Sequence, residues 1–299
     1  MNKISFIKSN DRFYNIQRAF SLIKSEIISG IKDAKRVVVK PNCVTDSVKL
    51  ASTHVDALNA VLDFIRPYVS GQITLAEGSA VGDTIEAFKN FGYLTLQTKY
   101  DLALADLNRD DYIEVPLIDR NEKIFNAKFS KTIAESDYLI SVSPPKTHNA
   151  VVYAGAVKNI AVGSLIRETD KLGLLNKIFG GKDNKQLIHQ GYRATNENIR
   201  RLANYFDIKL AVLDGFEAMQ GNGPVNGELV PAHFAIASSN ALSSDALACK
   251  LMGININDVG YLSLLGADLS DSFVIGDDPE KNIISFKMHS DFEKMRQWR

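Results

Sequence analysis

The residues best equipped for chemistry lie between Pro144 and Asn159. Ser143-Pro144-Pro145-Lys146-Thr147-His148 is followed a little further on by Lys158-Asn159. Two adjacent prolines fix the backbone, so Lys146 and His148 are presented from a stiff support. An imidazole with an ordinary pKa of ~6.5 suits proton transfer near neutrality. Lys158 lies in a run of small and apolar residues: Ala154, Gly155, Ala156, Val157, Ile160 and Ala161. Such surroundings disfavour the charged ammonium and lower its pKa, which frees the amine to act as a base, a nucleophile or a covalent anchor. A second cation nearby pushes the same way. The competing reading places Lys158 on the exposed stripe of an amphipathic helix, or lets it snorkel to solvent.

Three further polar segments follow predicted strands, where open α/β sheets bind ligands. Lys40-Pro41-Asn42 offers an anion contact by Lys40 and a ligand hydrogen bond by Asn42; ordinary turn chemistry is the alternative. Glu77-Gly78-Ser79 runs into Gly82-Asp83-Thr84, a strand-to-helix turn whose backbone N–H groups suit a phosphate or carboxylate. It is neither a Walker motif nor a dinucleotide fingerprint, and Asp83 or Thr84 can instead simply cap the helix. Asp214-Gly215 and Gly221-Asn222-Gly223-Pro224 close the set. There Asp214 is the stronger ligand candidate, Glu217 and Asn222 are within plausible reach, and the glycines read as turn formers. His189 stands alone as a candidate metal ligand, against the alternative of a surface or hydrogen-bonded histidine.

The elements that must position these groups alternate as in an α/β protein. Strands are predicted at Ile4–Ile7, Arg36–Lys40, Ile73–Ala76, Asp137–Val142, Ile208–Leu213 and Phe234–Ala237. Ile16, Phe20, Ile23 and Ile27 have helical spacing. Ser52 or Thr53 is the expected cap of a helix carrying Ala57, Val61, Phe64 and Ile65. Further helices are expected from Asp83 to Phe91, from about Tyr153, from Asn196 to Tyr205, and from Ser244 to Met252 with Ser243 or Ser244 as cap. Leu102–Lys128 reads as shorter, antiparallel strands. The stretch Glu168–Gln190, with its Gly180-Gly181 pair, reads as a loop or lid. The expectation is therefore a mixed, largely parallel sheet flanked by helices, in one compact domain with possible lobes at 1–135 and 136–299.

Bulk composition narrows the function. Lys plus Arg and Asp plus Glu both number 35, for a net charge of zero over 299 residues. Sequence-independent nucleic-acid binding draws on a surplus of positive charge, so no nucleic-acid partner is expected. A small anion needs only a few local lysines. The two cysteines, Cys43 and Cys249, are too few for a four-thiolate metal site within one chain. They read as free buried thiols in a reducing compartment. No window is apolar for long enough to cross a membrane, and a cytoplasmic location is expected.

Taken in order, these segments resemble the uncharacterised family called domain of unknown function 362. The resemblance runs over about residues 35–255 through Lys40-Pro41-Asn42, Glu77-Gly78-Ser79, Ser136-Asp137-Tyr138-Leu139-Ile140, Lys146-Thr147-His148 and Lys158-Asn159. It continues through Asp214-Gly215, Gly221-Asn222-Gly223-Pro224 and the Asp245 helix ending in Met252-Gly253. Many members of that family carry a ferredoxin-like iron–sulfur module; with two cysteines this chain lacks it, and no iron–sulfur cluster is expected. The order His148, Gly155, Lys158, His189 is also similar to that in nickel-dependent lactate racemases. That resemblance implies Lys158 as tether for a nickel pincer nucleotide, His148 as a proton-transfer group and His189 as the metal histidine. The lysine-to-histidine spacing differs from that family's, and its intervening glycine-proline pattern is absent.

The leading expectation is an enzyme for a small anionic metabolite: a hydroxy acid, carboxylate or phosphorylated compound. Lys40, Lys146 and the Ser79–Thr84 turn bind the anion, His148 moves a proton, and Lys158 is a second base or anchor. The reaction expected is a proton or hydride shift such as isomerisation or racemisation. The alternative is a non-enzymatic ligand or cofactor carrier using the same cationic pocket.

Overall fold

The computed structural model describes residues 1–167, 185 and 188–299. Most of the stretch read as a loop or lid lies outside the described residues. The elements, in chain order, are β1 (Asn2–Lys8), α1 (Arg12–Leu22), α2 (Lys24–Ile31), β2 (Val37–Lys40), α3 (Val55–Ile65) and β3 (Ile73–Glu77). There follow α4 (Thr84–Asn90), α5 (Leu94–Tyr100), β4 (Leu102–Asp106), the pair β5 (Tyr112–Ile118) and β6 (Ile124–Ser130), α6 (Lys131–Ala134) and β7 (Tyr138–Ser143). Next come β8 (Lys146–His148), β9 (Val152–Ala154), α7 (Ala156–Gly163), α8 (Tyr192–Leu202), β10 (Ile208–Gly215), β11 (Ala218–Asn222), β12 (Asn226–Val230) and β13 (Phe234–Ser238). The chain ends with α9 (Ala241–Leu251), α10 (Gly260–Leu264), β14 (Ser272–Gly276) and α11 (Phe292–Met295).

Eight strands form the main sheet in the order β14-β1-β13-β10-β7-β2-β3-β4. Pairing is parallel throughout except on the two sides of β13, which alone runs against the rest. The fold is thus mixed α/β with a largely parallel sheet, as predicted. Strands from both halves of the sequence are interleaved in it. β12-β11-β8-β9 make a second sheet, and β5 and β6 a separate antiparallel hairpin.

Period-two alternation builds a core on each face of the main sheet. Val37, Val39, Tyr138, Ile140, Val142, Leu210 and Val212 pack with α1 and α3 on one side. Val38, Leu139, Ala211 and Leu213 pack with α7 and α9 on the other. Both faces are covered, which is why these strands read as continuous apolar runs.

Sheet order decides where a site can form. From β2 the chain steps outward through β3 to β4, then returns to place β7 on the opposite side of β2. The segment after β2 leads to α3 on one face; the segment after β7 leads to α7 on the other. The strand order therefore reverses between β2 and β7, and a crevice opens beyond their carboxyl ends, Lys40 and Ser143.

Several boundaries differ from expectation for physical reasons. The first helical stretch breaks at Ile23 into α1 and α2. α3 is capped by His54 and not by Ser52 or Thr53; the Thr53 hydroxyl is committed to donating to the Val142 carbonyl, at 2.7 Å. Asn240, not Ser243 or Ser244, caps α9. The helix expected from Tyr153 begins at Ala156 because β8 and β9 form a hairpin first. Its cap comes from a distant residue: Asp245 of α9 accepts from the Ala156 and Val157 N–H groups at 2.8 and 3.0 Å and from the Tyr153 hydroxyl at 3.0 Å. Gly155 leaves the room for this, since a Cβ there would sit 2.2 Å from the Asp245 carboxylate. Asp245→Ala is expected to destabilise the fold by about 1–3 kcal/mol, because buried donors lose their acceptor. Asp245→Asn, which retains an acceptor oxygen, should lose less; urea denaturation measures both.

Candidate functional site

The crevice between the ends of β2 and β7 is a cavity of about 470 Å³, within the range of small-molecule sites. Asn42, Glu77, Ser143, Lys146, His148, Lys158, Asn159 and His189 all line it. The sheet ends supply Glu77 and Ser143, the β8 hairpin arm supplies Lys146 and His148, and the first turn of α7 supplies Lys158 and Asn159.

Beneath the cavity floor lies a polar network. Lys40 is fully buried and forms a close ion pair with Glu77. Its ammonium also donates to the Pro41 carbonyl and to Asn159 Oδ1, each at 3.2 Å. The other Glu77 oxygen accepts from the Cys43 N–H at 2.9 Å. Asn159 accepts from Asn42 Nδ2 at 3.1 Å and donates to Ser141 Oγ at 3.1 Å and to the Lys40 carbonyl at 3.3 Å. Asn42 Oδ1 in turn accepts from Lys146 Nζ at 2.5 Å, and the Ala51 carbonyl accepts from the same ammonium at 2.7 Å. One relay of hydrogen bonds therefore ties the Glu77–Lys40 pair to Lys146. Gly163 is required beside it: a Cβ there would lie 2.5 Å from Lys40 Nζ.

Lys158 is different. It is 8% exposed, and no protein group among the described residues accepts from its amine. Burial lowers its pKa to about 8. Lys146 falls further, to about 7, through burial and then the charge of Lys158. The Ser143 hydroxyl, 2% exposed, also lines the cavity, with no hydrogen-bond partner among the described residues.

The two histidines stack with rings nearly parallel and centroids 6.3 Å apart. Their backbone contacts assign opposite tautomers. His148 Nδ1 accepts from the Ala150 N–H at 3.0 Å, so the neutral ring carries its proton on Nε2. His189 Nδ1 faces the Lys185 carbonyl at 2.9 Å and must be the donor, which leaves Nε2 as an acceptor. His148 is held well below the ordinary imidazole value by burial, then by Lys158 and His189. His189, open to solvent on one side, is also lowered, by partial burial and by Lys158. Both rings are neutral at pH 7.

Other predicted site residues lie elsewhere. Asp83 caps α4, accepting from the Ile85 and Glu86 N–H groups. Thr84 Oγ1 accepts from the Ser79 N–H at 3.1 Å, which closes the turn internally. Asp214 pairs with Arg12 at 3.2 Å, and Arg12 also holds Glu217 at 2.7 Å. Asn222 Oδ1 accepts from the Ser290 N–H at 3.2 Å. None of these lines the cavity among the described residues, although Pro224 of the Asn222 loop does. Sequence reasoning missed Lys185, which is buried in the cavity wall and donates to the Gly163 carbonyl at 3.2 Å. It also missed Ser143 as a lining hydroxyl and Asp245 as the remote cap. Only Ser143 carried a signal, its place directly before the proline pair.

Among the described residues, no three His, Cys, Asp or Glu side chains come together as a metal site. His148 and His189 are a stacked pair; with His189 Nδ1 on the Lys185 carbonyl, its Nε2 lone pair is left for another partner. No helix of the described residues is long and apolar enough to cross a membrane.

The family described as Domain of unknown function (DUF362) matches residues 37–250. The chain belongs to that family. The matched span contains every cavity residue named above. A thylakoid-associated protein, sll1697, from Synechocystis sp. is 22% identical over 227 residues; the match covers 75% of this chain and 65% of that protein's length. The lactate racemase apoprotein from Thermoanaerobacterium thermosaccharolyticum is structurally similar with a TM-score of 0.47 and 13% identity, over 82% of this chain and 57% of that one.

The two lysines give the native state a pH signature. Unfolded, each amine keeps its proton to about pH 10; folded, Lys146 and Lys158 release theirs near 7 and 8. Above pH 7 the unfolded state therefore binds more protons, and stability rises with pH. Urea titrations from about pH 6.5 to about pH 8.5 should show that rise, flattened in the Lys146→Met/Lys158→Met double variant. Separately, Glu77→Ala strands the Lys40 charge and should cost about 3–5 kcal/mol, most of it recovered by adding Lys40→Met.

Proposed function

We propose that this protein is an enzyme that binds a small carboxylate or phosphorylated metabolite and moves a proton on it. What carries the reading is a charge imbalance in one cavity. Glu77 is the acidic residue of its described lining, and that carboxylate is already committed to Lys40 and the Cys43 N–H. Lys146 and Lys158 face the same space, and among the described residues neither has a carboxylate of its own. An anion supplies the missing charge.

The roles differ from residue to residue. Lys158 contacts the anion with an amine for which no described residue is an acceptor, although it is not held as a fixed cation. His148, neutral and carrying its proton on Nε2, donates a hydrogen bond to a substrate oxygen; it polarises and is not the base. Lys146, with a pKa of about 7, is the group poised both to give and to take a proton near neutrality. Asn42 and Asn159 orient it. A carrier would need the cationic cavity but gain nothing from an amine tuned to neutral pH.

Binding an anion stabilises the charged ammonium groups, so it draws protons onto Lys146 and Lys158. Affinity for a test anion such as L-lactate or inorganic phosphate should fall as pH rises through 7 to 8. By calorimetry, Lys158→Ala should weaken that affinity at least tenfold, about 1.4 kcal/mol. Unchanged binding and turnover in Lys158→Ala would sink the assignment.

A further inference from the structure

The cavity has features that a simple anion site does not need. An ammonium that only binds anions works best when it stays charged and its geometry is fixed by neighbours. Lys158 has neither property: it is more than nine-tenths buried, it points into the cavity, and no described group accepts from its amine. Lys146 is the opposite, with two of its N–H bonds tied to Asn42 and to the Ala51 carbonyl, and one left for the cavity. Two donors for which no described residue is an acceptor share the space, the Ser143 hydroxyl and the His148 Nε2–H. Ala154, Gly155 and Gly163 also line the cavity.

We propose that Lys158 is a nucleophile that forms an imine with a 2-oxo acid, with Lys146 as the acid–base partner. This deepens the anion-binding reading and rests on it. A 2-oxo acid matches the arrangement because its carboxylate and its electrophilic carbon are adjacent. The carboxylate takes the Ser143 hydroxyl and the His148 Nε2–H, and the carbonyl carbon faces the free amine.

The step balances with the groups present. The neutral Lys158 nitrogen attacks the carbonyl carbon; a C–N bond forms and the carbonyl π pair moves to oxygen. One nitrogen proton passes to that oxygen through Lys146, which leaves a carbinolamine. The Lys146 ammonium then gives its own proton to the hydroxyl, which departs as water as the C–N double bond forms. The products are a protonated imine on Lys158, one water, and Lys146 as a neutral amine. That amine is then the base for a proton on the carbon next to the imine, which yields an enamine and recharges Lys146. Burial lowers both amines toward neutrality, and with one proton between them the arrangement with Lys158 neutral and Lys146 charged is the minor form from which attack occurs.

The test uses the whole protein with pyruvate and sodium borohydride at neutral pH, read by intact and peptide mass. Expected is one reduced pyruvyl adduct per chain, on Lys158, formed at least tenfold faster than on any surface lysine. Acetone, which lacks the carboxylate, should label Lys158 at least tenfold more slowly. Lys146→Gln should slow adduct formation at least tenfold without moving it. Adducts spread over surface lysines, or none on Lys158, overturn the proposal. Equal labelling by acetone overturns the 2-oxo acid assignment. L-Lactate, which cannot form an imine, separates the two readings: lactate binding without a pyruvate adduct removes the imine and leaves the anion site, whereas loss of both removes the anion site as well.

Discussion

Lys40 and Glu77 end two adjacent parallel strands with their opposite charges sealed from solvent. A buried pair of this kind is a weak source of net stability, because the desolvation of both ions offsets most of their attraction. Its value here is positional. Either charge left alone would be strongly unfavourable, so β2 and β3 must keep their register, and the backbone after each must turn so that Pro41, Cys43 and Asn159 satisfy what remains. Through Asn159 and Asn42 the constraint reaches Lys146, a group at the cavity surface. The floor is stiffened because Lys40, Glu77 and Asn159 are each held by several partners in the relay.

The remaining walls follow from that floor. α7 starts where Gly155 lets Asp245 reach its first N–H groups, and this start sets the direction in which Lys158 and Asn159 leave the helix. Asn159 turns down into the relay; Lys158, one residue earlier, turns to the cavity. The same short helix thus supplies one group that is committed to the relay and one for which no described residue is an acceptor. Val152, a β-branched residue with φ of 69°, sits in the β8–β9 hairpin that precedes it. Such a conformation is unfavourable and persists only where its surroundings enforce it. Here the hairpin's pairing and the Tyr153–Asp245 hydrogen bond hold it.

Electrostatics then divide the cavity groups by role. Burial acts on all of them, but its effect on each depends on partners. Lys40 has a counter-charge. Lys146 has neutral acceptors, a nearby cation and a lowered pKa; Lys158 has burial alone. The stacked histidines are kept neutral, and their backbone hydrogen bonds, not their ring chemistry, determine which Nε2 donates and which accepts.

Residue type and local pattern were enough to determine much of this. Apolar runs ended by polar groups marked β2, β3, β7 and β10, because strands buried on both faces leave no ambiguity of composition. The proline pair after Ser143 and the lysine among small residues marked Lys146, His148 and Lys158, and the ordered segments pointed to the family. What the sequence could not decide was which strand ends meet. Glu77, Asn159 and Lys40 share one relay only because β7 inserts next to β2, whereas Asp214, equally well placed at a strand end, turns to Arg12. Nor could it show that Asp245 caps a helix far away in sequence, or that His189 stacks on His148. These are contacts between residues distant in the chain, and only the packing of the whole sheet brings them within hydrogen-bonding range.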